Sequence, residues 1–173
     1  MTAVRHLLLI EDNPGDAHLL RQALEETFAF AQLHTVPTVN DALAFLGPEA
    51  KKPRPDLIIL DLNLPAVCGA VGLSLIKATE DWRDIPVLVL TSSTRASERE
   101  ECKRLGAVDY WVKPADWDTY LRFGEDLANL VPQWVAQSAL TPNETARLTR
   151  QRPPASTETL PPIPRENRSQ QSS

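Results

Sequence analysis

Residue types that mark membrane-spanning, secreted or cysteine-metal proteins are scarce in this sequence. No apolar run approaches the roughly 20 residues that a membrane-spanning helix needs, so we expect no association with a membrane. Cys68 and Cys102 lack the paired spacing of a zinc motif, and idle thiols are favoured over a disulfide. The first apolar stretch ends at Glu11 without a signal-peptide cleavage site. These absences favour a cytoplasmic protein that folds around an apolar core.

A surplus of basic charge is also missing. The chain carries 18 Lys and Arg against 23 Asp and Glu, which gives a formal net charge of −5. Residues 1–140 hold 13 of the basic and 20 of the acidic side chains, so the negative charge lies in this part. Nonspecific nucleic-acid binding requires a basic surface. The acidic composition therefore argues against a nucleic-acid partner.

Aromatic residues are absent from the last part of the chain. Residues 141–173 contain none, but they hold six of the 15 prolines and end in a run of Ser and Gln. Such a segment buries too little apolar surface to offset its ordering entropy. We therefore predict a folded domain over residues 1–138 and a disordered Pro/Ser/Gln-rich tail over residues 139–173.

Short, continuous apolar runs alternate with stretches of helical periodicity in residues 1–138. Continuous runs are typical of strands that are buried on both faces of a parallel sheet. The runs cover residues 6–10, 33–36, 56–60, 86–90 and 108–112. The alternating order predicts a doubly wound α/β domain with five parallel strands, joined by right-handed helical crossovers.

Local signals at helix ends accompany this pattern. Asn13-Pro14 is a good N-cap followed by proline at the first helical position. Ser97 to Glu100 fits a capping box and predicts the start of the fourth helix, which would stop at Gly106. Pro132 predicts the end of the last helix, because proline is disfavoured inside a helix.

Polar side chains stand at the carboxyl end of four of the predicted strands. Glu11 and Asp12 follow the first strand, and Asp61 follows the third. Thr91 ends the fourth strand and Lys113 follows the fifth. Ligands of doubly wound domains bind at this edge of the sheet. We therefore expect the five side chains to form one site.

The chemistry of these residue types suggests transfer of a phosphoryl group. Three carboxylates at one edge repel each other unless a cation joins them, and hard oxygen ligands suit Mg²⁺. Asp61 can act as a nucleophile that forms an acyl phosphate. Lys113 and the metal would neutralise the transferred charge. Each residue alone also has a plain structural interpretation, since acids at helix starts often only complement the helix dipole.

The motifs around these positions resemble the receiver domains of two-component response regulators over residues 5–131. The matching stretches are Leu9–Asn13, Leu60–Pro65 with Gly69, Val89–Ser92, Leu105–Ala107 and Tyr110–Pro114. One departure is Cys68, where the family usually has an acidic or polar residue. Residues 48–55 look like a small insertion before the third strand. The resemblance implies the flavodoxin-like (βα)5 receiver fold.

The resemblance also implies a role for each site residue. It implies that a histidine kinase phosphorylates Asp61, and that Glu11, Asp12, Asp61 and the backbone carbonyl of Asn63 hold Mg²⁺. Thr91 would then hydrogen-bond the phosphoryl group, and Lys113 would pair with it. Tyr110 would be the aromatic switch on the fifth strand, and the Lys113-Pro114 peptide would be cis.

A narrower resemblance concerns the single-domain regulators that are paired with bacterial phytochromes. It is carried by Ile10–Asp16, by Thr91–Ser93 and by Lys113-Pro114 followed by Trp117. It implies a bacteriophytochrome as the sensor histidine kinase. It also implies a homodimer through helix 4, strand 5 and helix 5.

Aromatic residues concentrated near the end of the domain are consistent with such a dimer. They are Tyr110, Trp111, Trp117, Tyr120, Phe123 and Trp134. Either these side chains fill the core, or a surplus of them lies on the surface and marks an interface. Because Trp134 follows Pro132, we expect it beyond the helix end, where it and Val135 would extend the interface.

Three other classes of protein share parts of this pattern. An aspartyl-nucleophile phosphatase normally has a second acid two residues after the nucleophile, where this chain has Asn63. A transcription factor needs a DNA-binding module, which residues 141–173 do not resemble. A flavodoxin-like cofactor binder needs a phosphate loop after the first strand. A non-enzymatic regulator is favoured, with the phosphatase as the main alternative.

Overall fold

The five predicted strands are present in the computed structural model, which describes residues 5–138. Their bounds are β1 Arg5–Ile10, β2 Ala31–Val36, β3 Leu57–Leu60, β4 Val87–Thr91 and β5 Asp109–Val112. All residues of β3 and β4 are buried, which explains why both strands are apolar except for Thr91 at the end of β4. The predicted disordered tail lies outside the described residues.

Five α-helices alternate with the strands. They are α1 Pro14–Thr27, α2 Val39–Leu46, α3 Gly69–Ala78, α4 Ala96–Arg104 and α5 Trp117–Ser138. A 3-10 turn, Pro48–Ala50, lies in the segment identified from the sequence as a small insertion before β3. Within the part of the chain described, no helix is both long enough and apolar enough to span a membrane.

The strands form one parallel sheet in the order β2-β1-β3-β4-β5. Ile10 of β1 pairs with Leu60 of β3, so the next residues, Glu11 and Asp61, lie side by side. Thr91 of β4 pairs with Val112 of β5, which brings Lys113 to the same edge. The predicted doubly wound fold is therefore confirmed, and the register itself assembles the polar edge.

Two apolar layers cover the sheet, one on each face. Leu7 and Leu9 of β1 point into a layer with α1 and α5, whereas Leu8 and Ile10 point into the opposite layer. Successive strand residues face opposite sides of a sheet. Because both faces of the sheet are covered, polar side chains carried by the strands can reach solvent at the open carboxyl edge.

The start of α1 follows the predicted capping. The Asn13 side chain accepts hydrogen bonds from the N–H groups of Gly15 and Asp16, at 2.8 and 3.3 Å. Pro14 occupies the first helical position. This cap orients the first turn of α1 toward the carboxyl edge of the sheet, immediately after Glu11 and Asp12.

The predicted capping box of α4 is wrong. The helix begins at Ala96, Arg95 is the N-cap residue, and Arg95 makes no side-chain hydrogen bond to the backbone. Instead, the Arg95 guanidinium forms an ion pair with Glu98 in the first turn. An acid in the first turn also complements the helix dipole, so the helix starts one residue earlier without a hydroxyl cap.

The predicted end of the last helix at Pro132 is also wrong. Helix α5 continues through Pro132 to Ser138, although proline inside a helix costs about 3 kcal/mol. Val131 is fully buried and Trp134 is 9% exposed, both in the layer that contains α1. Burial of these side chains on the far side of the proline offsets the lost backbone hydrogen bond.

Helices α1 and α5 approach each other closely at Gly124. A Cβ atom built there would lie 2.0 Å from the Thr27 hydroxyl oxygen and 3.2 Å from the Ala23 carbonyl oxygen. The Thr27 hydroxyl donates a hydrogen bond to that carbonyl at 2.7 Å. No side chain larger than hydrogen fits, so glycine sets the spacing of the two helices.

Gly124→Ala is therefore expected to destabilise the domain by about 1–3 kcal/mol, because the added methyl group overpacks the interface. This sign is opposite to the usual gain of roughly 1 kcal/mol for Gly→Ala inside a helix. Urea unfolding followed by circular dichroism measures the difference. Thr27→Ala added to the same chain removes the hydroxyl and should recover part of the loss. A Gly124→Ala variant more stable than wild type would contradict this account of the packing.

Candidate functional site

Three carboxylates meet at the carboxyl edge of the sheet. One oxygen from each of Glu11, Asp12 and Asp61 lies within 4.8 Å of the other two. Glu11 and Asp61 are 4% and 3% exposed, whereas Asp12 is exposed to solvent. Buried ionised carboxylates this close are unfavourable without a neutralising cation. The site is therefore built to hold positive charge.

Lys113 supplies part of that charge. Its Nζ lies 2.6 Å from Glu11 Oε2, 2.8 Å from Asp61 Oδ2 and 2.7 Å from Asp16 Oδ2. An ammonium group has three N–H donors, and three carboxylates surround this one. Burial alone lowers the pKa of Lys113, but the hydrogen bonds to Asp16, Asp61 and Glu11 outweigh it and raise the pKa above its ordinary value. Lys113 is therefore held as a cation.

For Glu11, the same surroundings disfavour the charged form. Burial raises the pKa of Glu11, and the nearby Asp61 charge adds to the rise, although Lys113 and the Asn13 N–H lower it. The net direction is upward because the loss of water around this carboxylate exceeds what its partners return. A further cation at this edge would stabilise the ionised form.

Backbone groups orient both buried acids. The Asn13 N–H donates to Glu11 Oε1 at 3.0 Å, and the Asn63 N–H donates to Asp61 Oδ1 at 3.0 Å. With Lys113 on Oδ2, both oxygens of Asp61 have a hydrogen-bond partner. Asp61 is thus fixed in orientation at the end of β3, with its carboxylate close to those of Glu11 and Asp12.

A chain of polar contacts runs from this cluster to β5, the outermost strand of the sheet. The Asn63 side-chain amide donates to the Thr91 and Ser92 hydroxyls, each at 3.3 Å. The Thr91 hydroxyl in turn accepts the Ser93 N–H at 3.4 Å, and the Ser93 carbonyl accepts the Tyr110 hydroxyl at 3.0 Å. A change at Thr91 can therefore reach Tyr110 through the loop after β4.

Tyr110 points into the domain. Its side chain is 4% exposed, within the layer on the α3 and α4 side of the sheet. The Arg99 guanidinium lies 5.2 Å from the ring centroid, a distance suited to a cation–π contact. In this position the ring of Tyr110, for which the resemblance implies a switch role, is buried and its hydroxyl is hydrogen-bonded to the Ser93 carbonyl.

Gly69 allows the loop after Asp61 to pack tightly. A Cβ atom at this position would lie 2.2 Å from the Asp61 carbonyl oxygen and 2.6 Å from Leu62 Cα. The Gly69 N–H donates to the Leu62 carbonyl at 3.1 Å. Cys68, the departure from the family pattern, is exposed, and its thiol forms a hydrogen bond to the Leu62 carbonyl at 3.7 Å. It takes no part in the acidic cluster.

The structure therefore brings the predicted site residues together at one edge. Asp16 is the residue that sequence reasoning missed, although it stood inside the quoted Ile10–Asp16 stretch. An acid in the first turn of a helix that begins at this edge was the available signal. The expected cis Lys113-Pro114 peptide is wrong, since the bond is trans. Trans is the preferred isomer even before proline, and Lys113 reaches its partners with it.

The fold and the site together define a class of α/β proteins built to handle phosphoryl groups or cations. Proteins of this class have a doubly wound parallel sheet that carries buried carboxylates, a hydroxyl and a lysine at its carboxyl edge. Within this class, the family described as the response regulator receiver domain matches residues 7–122. The chain belongs to this family.

Cyanobacterial proteins are among the relatives. The response regulator Rcp1 of Synechocystis sp. is 40% identical over 90 residues, which cover 50% of this chain and 61% of Rcp1. The crystal structure of the phosphorylated cyanobacterial phytochrome response regulator RcpA has a TM-score of 0.69 at 31% identity, covering 81% of this chain and 99% of RcpA. The Mn²⁺-bound form of Rcp1 has a TM-score of 0.66 at 29% identity, covering 79% and 97%. The chain spans about half to three-fifths of the first curated relatives.

Asp12→Ala should weaken Mg²⁺ binding about tenfold or more, because it removes one of the three clustered carboxylates. Without Mg²⁺ the variant should melt at the same or a higher temperature than wild type, since repulsion among the acids is relieved. Isothermal titration calorimetry and thermal melts measure the two effects. Asp118→Ala, at an exposed aspartate in the first turn of α5, is the matched control. An unchanged Mg²⁺ affinity in Asp12→Ala would argue against the acidic cluster as the metal site.

Proposed function

We propose that the chain is a phosphorylation-dependent response regulator whose Asp61 accepts a phosphoryl group from a sensor histidine kinase. The observation that carries this proposal is the buried Asp61 carboxylate, oriented by the Asn63 N–H and 2.8 Å from Lys113 Nζ. Membership of the receiver family supports it. Phosphoryl transfer needs a positioned nucleophile and positive charge around the transferred group. Both requirements meet at Asp61.

In the proposed reaction, an Asp61 carboxylate oxygen attacks the phosphorus of a phosphohistidine. The new P–O bond gives an acyl phosphate, and the P–N bond breaks with its electron pair returning to the imidazole. Lys113 pairs with the phosphoryl oxygens, and the Thr91 hydroxyl donates a hydrogen bond to one of them. Lys113 can do this because it already contacts Asp61 Oδ2 at 2.8 Å, and Thr91 is joined to the loop after Asp61 through Asn63.

We also propose that the site uses Mg²⁺. The carboxylates of Glu11, Asp12 and Asp61 are the donor set that suits this hard cation, with the Asn63 carbonyl as a further ligand. When bound, Mg²⁺ would neutralise charge on the transferring phosphoryl group. Rcp1 has been crystallised with Mn²⁺, which likewise prefers oxygen ligands. The acids fit such an ion because it offsets the repulsion that burial intensifies.

The proposed output follows the contacts from Thr91 to Tyr110. When Thr91 turns toward the phosphoryl group, its contacts with Asn63 and the Ser93 N–H change. The Ser93 carbonyl holds the Tyr110 hydroxyl, so Tyr110 can take a second position. Changes in the order or position of a loop are a recurrent form of switching in signalling proteins.

A phytochrome is the proposed kinase partner. RcpA, at 31% identity, is a cyanobacterial phytochrome response regulator, and Rcp1 is similar to this chain in both sequence and structure. A cytoplasmic location belongs to the same proposal, supported by free thiols at Cys68 and Cys102. Nucleic acid and membranes are not proposed partners, in keeping with the acidic charge of residues 1–140.

The proposed layout is a receiver domain over residues 1–138 followed by a tail over residues 139–173, with no enzymatic role toward other molecules. An aspartyl phosphatase remains the alternative on a similar fold. Its general acid would stand at position 63, where Asn63 instead uses its side-chain amide to contact Thr91 and Ser92. A neutral amide cannot supply the proton that this reaction needs. This difference favours the regulator.

A homodimer through α4, β5 and α5 is also proposed, on a smaller apolar surface than the sequence suggested. Trp134 is buried inside the domain, and Tyr120 and Phe123 are 5% exposed, so these aromatics belong to the core. Apolar side chains that remain exposed at or beside the edge strand are Val108, Val112 and Trp117, at 37%, 41% and 36%. An exposed edge strand is also a ready pairing surface.

Incubation with acetyl phosphate and Mg²⁺ should add one base-labile phosphoryl group to the wild-type protein, because the activated Asp61 can attack a small donor. Asp61→Asn should abolish the addition, since an amide oxygen is not a comparable nucleophile. Intact-mass spectrometry measures the product. Asp126→Asn, at an exposed aspartate of α5, should label as wild type. Labelling of Asp61→Asn at the wild-type rate would refute the assignment.

At high micromolar concentration, light scattering should give the mass of a dimer for the wild type in the unphosphorylated state, in the phosphorylated state or in both. Val108→Glu combined with Trp117→Glu should give monomers, because two charges would be placed in a desolvated interface. Val71→Glu, at an exposed apolar residue of α3, is the control on another face and should leave the mass unchanged. A wild type that is monomeric with and without phosphorylation would exclude the dimer.

A further inference from the structure

Among the residues that the structure describes, Asp16 is the one carboxylate that contacts Lys113 and that the proposed chemistry does not use. It lies in the first turn of α1, and its Oδ2 is 2.7 Å from Lys113 Nζ. The side chain is 32% exposed, compared with 2% for Glu11 and 4% for Asp61. The contact therefore sits at the solvent rim of the acidic site, above the two buried acids.

The three partners of Lys113 differ in what a metal ion would do to them. Glu11 and Asp61 belong to the clustered carboxylates that suit a cation, together with Asp12. A cation bound there would compete with Lys113 for these two acids. Asp16 is not in that cluster, so its contact with Lys113 would face no such competition. Of the three contacts, it is the one that can persist when a cation enters.

We propose that Asp16 is a positioning residue: it gives Lys113 a partner outside the clustered carboxylates, so that Lys113 can yield Glu11 and Asp61 to the metal and still stay beside the site. Without Asp16, Glu11 and Asp61 would be the two carboxylates left around the ammonium, and a metal ion could bind only by taking both from it. With Asp16, Lys113 keeps one carboxylate partner when the metal enters. This inference rests on the proposed function, since it concerns the same Mg²⁺ site.

A purely local role for Asp16 would have a different basis. An acid in the first helical turn complements the dipole of α1, an effect that fades within that turn. The N–H groups there are already capped by the Asn13 side chain, whereas the Asp16 carboxylate reaches across to β5 and its lysine. A dipole role predicts a stability change that does not depend on Lys113. Positioning predicts a Mg²⁺ affinity that does.

The test is a double-mutant cycle on the Mg²⁺ dissociation constant of the full chain, measured by isothermal titration calorimetry. Asp16→Asn should weaken Mg²⁺ binding roughly tenfold when Lys113 is present. In the Lys113→Met background the same change should weaken it less than about twofold, because only a screened charge is lost. Equal weakening in both backgrounds, or none in the first, overturns the proposal.

Two further variants keep the test decisive. Asp16→Glu, which keeps the carboxylate, should restore the affinity to within about twofold of wild type. Glu26→Gln removes one charge from an exposed position farther along α1 and should leave the affinity unchanged. If Lys113→Met fails to fold in thermal melts, the comparison of Asp16→Asn with Asp16→Glu decides, and failure of the glutamate to restore affinity overturns the proposal.

Labelling with acetyl phosphate separates this inference from the proposed function. A wild type that binds no Mg²⁺ and takes up no phosphoryl group would refute the function itself. A wild type that is labelled at Asp61, together with an effect of Asp16→Asn that is independent of Lys113, would refute only the role of Asp16.

Discussion

The ammonium of Lys113 among three carboxylates is the interaction on which the acidic edge depends. Glu11 and Asp61 are almost fully buried, and their oxygens lie 2.6 and 2.8 Å from the same nitrogen. In a partly desolvated site, unbalanced negative charge of this density would destabilise the folded state. Lys113 offsets that cost, and the contact with Asp16 keeps part of the lysine's hydrogen bonding away from the buried acids. The edge can therefore hold an ammonium and still offer oxygen ligands.

Backbone geometry supplies the precision of the site. The parallel pairing of Ile10 with Leu60 places Glu11 beside Asp61, and backbone N–H groups fix one oxygen of each carboxylate. Gly69 lets α3 begin in contact with the Asp61 carbonyl. These constraints come from strands and a helix terminus that are locked by burial on both faces of the sheet. A site on such rigid elements keeps its geometry better than one on a free loop.

The same edge is joined to a more adaptable part of the molecule. From Thr91, contacts lead through Ser93 to the Tyr110 hydroxyl on β5. Ser92, next along that loop, is exposed, and the Arg99 side chain that stacks on Tyr110 is exposed as well. A rigid acidic edge beside a lightly packed loop is the arrangement expected where a local charge change must alter a surface.

The sequence by itself determined the strands, their parallel arrangement, the Asn13-Pro14 helix start and the side chains at the acidic edge. These features follow from local patterns: continuous apolar runs, cap residues and polar residues at strand ends. Only the tertiary structure decided that α5 passes through Pro132, that Trp134 is buried, and that Asp16 joins Lys113. It also decided that Lys113-Pro114 is trans and that α4 starts at Ala96. The trans bond follows the ordinary preference of peptide bonds, and α4 starts with a local ion pair between Arg95 and Glu98. The path of α5, the burial of Trp134 and the contact of Asp16 with Lys113 depend on residues distant in the chain or on burial against another element, whose energies exceed the local preferences that the sequence displays.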